Sequence, residues 1–176
     1  MNEEFLNPKK VLETIPLRGD MTACDLGCGS GGWTIPLAKI LNNGVIYAVD
    51  ILDEALSALK GKIERERIGN IRTILSDIEK GVRIGDSSID FVLLSNILFQ
   101  VDDEKFVLEE AKRLLKPDKT ALIVDWKEDS PIGLKDRRVS FDKTRSIISE
   151  LGFKIEKEFD AGKYHWAILI RKLWKK

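Results

Sequence analysis

One histidine (His165), two cysteines (Cys24 and Cys28) and one glutamine (Gln100) are all that 176 residues hold of these three types. Two cysteines four positions apart cannot frame a disulfide-stapled fold. With the only histidine far away in sequence they cannot complete a zinc site either, so no metal is expected. Charge of one sign is not in excess, because Lys+Arg and Asp+Glu number 29 each. A balanced chain has no overall pull toward nucleic acid, although a local basic patch is compatible with that balance. No apolar run approaches the roughly 18–20 residues that span a bilayer. Met1-Asn2-Glu3-Glu4 lacks the apolar core of a signal peptide. A cytoplasmic chain with no membrane span is the expectation.

What is present is a globule's composition. Apolar residues make up 43% of the chain, enough for a packed core in one domain spanning residues 1–176. The charged share of 33%, with glutamine nearly absent, leans toward a heat-adapted source.

Strand and helix signals alternate along the chain. Asn7 and Pro8 read as the cap and first turn of a short helix to about Ile15. Met21 to Leu26 is a strand ending in glycines, and Trp33 to Leu41 a helix closed by Asn42-Asn43-Gly44. Val45 to Val49 is a continuous apolar strand of the kind buried on both faces. Asp53 reads as the cap of a helix to about Ile68, followed by strands at Ile71 to Leu75 and Ile89 to Leu94. Asp102 and Asp103 open a helix with Val107, Leu108, Ala111, Leu114 and Leu115 on one face, stopped by Pro117. Thr120 to Val124 is the fifth strand, and Ser140 to Leu151 the last helix. Phe153–Phe159 and Tyr164–Ile170 form a hairpin around Ala161-Gly162. Strands spaced by helices imply a doubly wound α/β sheet, mostly parallel. The hairpin connection is too short for a parallel crossover, so the seventh strand is expected to be antiparallel.

The chemistry-bearing run is Asp25-Leu26-Gly27-Cys28-Gly29-Ser30-Gly31-Gly32-Trp33, between a strand and a helix. Glycine there allows positive φ and close approach of backbone to a ligand. Gly27, Gly29 and Gly32 also satisfy the dinucleotide spacing G-x-G-x-x-G, so the run alone leaves the cofactor open. Asp50, about 20 residues on, stands where a carboxylate can accept both hydroxyls of a ribose. Asp77 follows the third strand and suits either an adenine amino group or a helix cap.

Taken together, D-L-G-C-G-S-G with Asp50 and Asp77 resembles the class I methyltransferase cofactor site. Asp25 is acidic where dinucleotide dehydrogenases usually carry an apolar residue. Ser95-Asn96-Ile97-Leu98-Phe99-Gln100 and Leu108 to Pro117 are most similar to the ubiquinone/menaquinone-biosynthesis-type branch. The resemblance spans about residues 7–172 and implies a Rossmann-like fold with S-adenosyl-L-methionine as cofactor. It implies cofactor contacts at Asp25, Gly27, Cys28, Gly29 and Gly31, with Gly27, Cys28 and Gly29 along the methionine part. Asp50 and Ile51 would meet the ribose, Asp77 and Ile78 the adenine, and Asn96 the methionine amino group. Asp118-Lys119 departs from the branch, which often has a glycine pair there.

Ligands of open α/β sheets bind beyond the carboxyl ends of the parallel strands. That edge carries Asn96, Trp126, Lys127 and the hairpin tip with Tyr164 and His165. His165 is then a candidate general base, with Tyr164 beside it; packing at a strand start is the alternative. Trp33, Phe99 and Trp126 suit an apolar wall or the core. Residues 127–140 form the longest irregular connection and are a candidate lid, with residues 1–16 as a cap helix. So small a cap suits an open site or closure by a second copy in a homodimer. A small-molecule acceptor is expected. Two other readings remain. Gly31-Gly32-Trp33 resembles the loop of some RNA ribose methyltransferases, with Lys10 and Lys127 as two of their four catalytic positions but Ser95 where an aspartate belongs. A non-catalytic cofactor-binding subunit would keep the same fold.

Overall fold

Stretches that are apolar without interruption become strands covered on both faces, and they order the rest of the chain. The computed structural model describes residues 5–132 and 138–174. Its strands are β1 (Thr22–Leu26), β2 (Val45–Asp50), β3 (Ile71–Leu75), β4 (Ile89–Ser95), β5 (Leu115–Trp126), β6 (Phe153–Gly162) and β7 (His165–Lys172). They form one sheet in the order β3-β2-β1-β4-β5-β7-β6. β1 to β5 pair in parallel, and β7 lies antiparallel between β5 and β6. This is the doubly wound sheet with an antiparallel last strand that the sequence pattern predicts.

Helices α1 (Pro8–Glu13), α2 (Thr34–Ile40) and α3 (Asp53–Glu66) cover one face, packing Leu12, Leu37 and Leu59 against the sheet. Helices α4 (Glu104–Leu114) and α5 (Phe141–Glu150) cover the other with Leu108, Leu114 and Ile148. Central β4 shows the division. Phe91 and Leu93 enter the first core, Val92 and Leu94 the second, because successive side chains of a strand point to opposite faces. Burying each such aliphatic side chain contributes about 1.5–3 kcal/mol. No helix among the described residues is long and apolar enough to cross a membrane.

Two local expectations are corrected, on Asp53 and on the hairpin turn. Asp53 is the first residue of α3 rather than its cap; Leu52 holds the cap position without a side-chain bond. Pro117 follows the end of α4 as expected, two residues past the cap at Leu115, and it also lies inside β5. Proline disfavours helical geometry in the residue before it, and it is tolerated here because the β4–β5 register breaks between Ile89 and Phe91. Asp118 takes φ 58° in that break, the left-handed geometry that glycine adopts most easily. The hairpin turn is Lys163-Tyr164, with Gly162 opposite His165. Ala161 and Gly162 belong to β6, where a register shift between Asp160 and Gly162 accommodates an extra residue.

Candidate functional site

The glycine turn begins where β1 ends, and its geometry identifies which glycines it needs. Gly27, Gly29 and Gly31 have φ of 79°, 52° and 87°. A Cβ on Gly27 would lie 2.6 Å from Ile97 Cδ1, and one on Gly31 would lie 2.4 Å from Leu59 Cδ1. Gly32 has neither a positive φ nor a neighbour within 4 Å of such a Cβ. The third required glycine is therefore Gly31, and the working pattern is G-x-G-x-G rather than the dinucleotide spacing. Gly29 faces open space. The turn is pinned from β2, since the Gly27 and Cys28 amides both donate to the Val49 carbonyl at 2.9 Å. It is also held from α3, where Lys62 Nζ donates to the Ser30 carbonyl at 2.6 Å and to its hydroxyl at 3.0 Å.

Asp50 closes β2 beside this turn. Its Oδ2 accepts from the Gly29 amide at 2.7 Å and its Oδ1 from the Leu52 amide at 3.0 Å. A carboxylate oxygen has two lone pairs, so both oxygens can still accept from a vicinal diol. Asp50 lines a cavity of about 260 Å³ whose walls include Gly27, Gly29, Ile51, Asp77 and Ile97. Ile51 and Leu52 leave this wall 60% and 58% exposed, an apolar surface suited to a flat heterocycle. Asp77 also lines the cavity, yet it caps the short 3-10 turn Ile78–Lys80 by accepting from the Glu79 amide at 3.0 Å. Lys80 at 3.0 Å and that amide hold its carboxyl below the usual range. Ile78 is buried at the cavity wall.

Two buried acceptors sit at the ends of adjacent strands β1 and β4. Asp25 Oδ2 accepts from the Thr34 hydroxyl at 2.6 Å, while Oδ1 is buried with no partner. Burial pushes this carboxyl up to about 7 against the Thr34 bond, and Asp50 adds to the rise. Asn96, at φ 53°, likewise buries an unpartnered Oδ1. Its backbone amide donates to the Val124 carbonyl at 2.8 Å, which fixes the residue where β4 ends. Buried polar atoms are rarely left unpaired. Here both want a donor, and a cationic ammonium would serve them.

The Cys28 thiol is buried and pushed far up by desolvation, then by Asp25 and Asp50. Cys24 and Cys28 are both free. Among the described residues no group of His, Cys, Asp or Glu is arranged to hold a metal.

The opposite end of the edge differs from expectation. His165 is 1% exposed, packed against Trp126 at 4.0 Å between ring centroids with the planes tilted by 40°, and met edge-on by Phe5 at 5.9 Å. Neither ring nitrogen has a partner. Burial, then the charges of Arg138 and Lys127, push its pKa down to about 4. Such an imidazole packs rather than offers itself as a base, because the antiparallel register opposes it to Trp126 and draws it under that ring. Tyr164 lies in the turn, half-buried, its carbonyl accepting from the Lys127 amide at 2.8 Å. Of the aromatic residues, Trp33 is buried in the core below α1 and α2, whereas Trp126 and Phe99 are half-buried.

Residues 133–137 of the candidate lid lie outside the described residues. Before them, Ser130 is buried; after them, Arg138 donates to the Lys127 carbonyl at 2.5 Å. Lys10 and Lys127 line one cavity, yet Ser95 supplies no carboxylate there.

Sequence reasoning missed Thr34, Lys62, Leu52 and Ile97. A pair of apolar residues directly after Asp50 and ahead of a helix was a legible sign of the Ile51–Leu52 wall. Nothing local marks Lys62, which reaches the turn from 32 residues away.

The open face at Gly29, the free lone pairs on Asp50, the apolar wall and the two unpartnered acceptors fit S-adenosylmethionine, which carries a ribose, an adenine and an ammonium. Comparison with known proteins agrees. A family model described as "Methyltransferase domain" matches residues 17–166. The chain is 26% identical over 154 residues to demethylmenaquinone methyltransferase of Staphylococcus aureus (strain MRSA252), covering 86% of this chain and 63% of that protein. It is 24% identical over 159 residues to demethylmenaquinone methyltransferase of Geobacillus stearothermophilus, covering 90% and 66%. The chain thus spans just under two thirds of the length of these curated relatives. A crystal structure of a SAM-dependent methyltransferase from Aquifex aeolicus superimposes with a TM-score of 0.88 at 25% identity, over 96% of this chain and 90% of that one. The chain belongs to the methyltransferase-domain family, class I in fold.

Proposed function

We propose that the chain, acting as a single methyltransferase domain, transfers the methyl group of S-adenosylmethionine to a small-molecule acceptor lying over the ends of β4 and β5. The observation that carries this reading is the pair of unpartnered buried acceptors, Asp25 Oδ1 and Asn96 Oδ1, beside a glycine turn whose carboxylate neighbour retains lone pairs for a diol. The curated relatives, named for demethylmenaquinone, support an acceptor of small size.

The cofactor supplies a methyl carbon already activated by a sulfonium, with a neutral thioether as leaving group. Asp25 and Asn96 would hold the ammonium, and the Asp25 carboxyl would give up its proton to solvent as that cation arrives. Asp50 would orient the ribose while Ile51 and Leu52 would take the adenine, with Asp77 and Ile78 closing its far side. Gly27, Cys28, Gly29 and Gly31 shape the backbone along the methionine part. Trp126 lies beside the acceptor and reduces access of water. Holding two reactants in line supplies a large part of such a barrier reduction, so the buried His165 is not required as a base.

The test is incubation with S-adenosylmethionine labelled in its methyl group and with small-molecule, RNA and protein fractions of a cell extract. Label is expected in the small-molecule fraction. Label in RNA would favour ribose methylation, and label in none would contradict methyl transfer.

A further inference from the structure

The segment that leads from β4 to α4 is a strap with a cavity on each side. Ile97, Gln100 and Val101 form part of the wall of the cavity beside Asp50. Leu98, Phe99, Val101, Asp102 and Glu104 belong to the wall of a separate cavity of about 300 Å³. Val101 lines both, so one short stretch of chain shapes two cavities. Its only regular structure is the 3-10 turn Leu98–Gln100. A turn that short makes few bonds of its own, so neighbours must satisfy the rest of the backbone and fix its place.

The start of the strap is tied to the core of the site. The Asn96 amide donates to the Val124 carbonyl at 2.8 Å, and Ile97 lies against Gly27. Gln100 Nε2 then donates back to the Asn96 carbonyl at 2.6 Å. The far end is tied by one side chain. Glu79 Oε1 accepts from the Asp102 amide at 2.9 Å and from the Asp103 amide at 3.0 Å. These amides lead into α4, which Asp103 caps by accepting from the Phe106 amide at 3.0 Å; the helix dipole favours a carboxylate there. Glu79 stands on the turn Ile78–Lys80, and it lines the cavity together with Asp77 and Ile78. A single carboxylate therefore joins the adenine side of the site to a strap that begins at Asn96, on the methionine side.

Resting on the methyl-transfer reading and its cofactor, we propose that Glu79 is a positioning residue, holding the strap so that Ile97, Gln100 and Val101 meet the cofactor. The experiment is amide hydrogen exchange by NMR on the full chain, with and without saturating S-adenosylhomocysteine, alongside calorimetric titration with the same ligand. In the wild type the ligand should slow exchange across residues 97–103 by roughly fivefold or more, a readout that needs no variant. Glu79→Ala should speed exchange at Asp102 and Asp103 and weaken S-adenosylhomocysteine binding, each by roughly fivefold or more. Glu79→Gln keeps an oxygen that accepts both amides, so it should restore both readouts to within about threefold of wild type. Amides of central β4 should exchange alike in all three proteins. A wild-type strap that the ligand does not protect, unchanged affinity in Glu79→Ala, a Gln variant no better than the Ala variant, or equal acceleration in β4 would each overturn the proposal. Failure of the wild type to bind S-adenosylhomocysteine would instead overturn the methyl-transfer reading.

Discussion

Replacing Asp25 by Asn should flatten the pH dependence of stability and, in the same variant, uncouple cofactor binding from proton release. Asp25 is buried, and its carboxyl is pushed up to about 7 from an ordinary value of 3.8. A raised carboxyl is protonated in the folded chain and ionised in the unfolded one between these two values, so stability falls as pH rises through that window. The slope is about 1.4 kcal/mol per pH unit. Between pH 5 and pH 7 this residue alone then costs about 2–3 kcal/mol. Asp125, buried in β5, is also pushed up to about 7 by burial, so the wild type carries two such contributions and Asp25→Asn removes one. Urea unfolding at pH 5 and pH 7 should show the variant losing about 2–3 kcal/mol less than the wild type across the interval. An ammonium docked on Asp25 Oδ1 favours its ionised form, so the wild type should release close to one proton on binding S-adenosylmethionine at pH 6 and almost none at pH 8. Calorimetry in two buffers of different ionisation enthalpy measures this directly. Identical pH slopes in the two proteins, or proton release that survives in Asp25→Asn, would refute the reasoning.

Asp50→Ala should weaken S-adenosylmethionine binding by roughly 1.5–3 kcal/mol, the scale of hydrogen bonds to a charged group, as read by calorimetry; an unchanged dissociation constant would remove Asp50 from the site. Gly27→Ala, which meets Ile97 at 2.6 Å with φ 79°, should cost about 1–3 kcal/mol of stability. Gly32→Ala, with open space around it, should stay within about 0.5 kcal/mol of wild type, and equal losses in the two variants would contradict the G-x-G-x-G assignment. His165→Phe should keep turnover within a few-fold once an acceptor is found, because the ring acts by packing; a loss of about 10²–10⁴-fold would restore the general-base role. The same variant should resist acid better. His165 is held near 4 against an ordinary 6.5, so the wild type loses stability as pH falls from 6.5 toward 4.

Much of this fold is legible because its signals are local. The unbroken apolar run Val45 to Val49 can only be covered on both sides, and Asn7-Pro8 caps a helix whatever else the chain does. Asp50 could be assigned because strand length and loop length fix its distance from the glycine turn. What the sequence hid depends on contacts between distant residues. The need for Gly31 rather than Gly32 arises from Leu59, 28 positions away. The fate of His165 is set by the β5–β7 register, which opposes it to Trp126, while a single extra residue at Ala161 shifts the β6–β7 register and places the turn at Lys163-Tyr164. Pro117 reads correctly as a helix stop from its own chemistry, but that chemistry does not reveal that β5 already begins at Leu115. The unpartnered oxygens of Asp25 and Asn96 are invisible in sequence, since only packing decides whether a donor reaches them.

The measurement that bears most directly on the account is calorimetric titration of the purified chain with S-adenosylmethionine, S-adenosylhomocysteine and NAD at pH 8. The geometry at Gly27, Gly31, Asp25 and Asp50 predicts saturable one-site binding of the first two and no heat from the third. Saturable NAD binding with S-adenosylmethionine silent would contradict it.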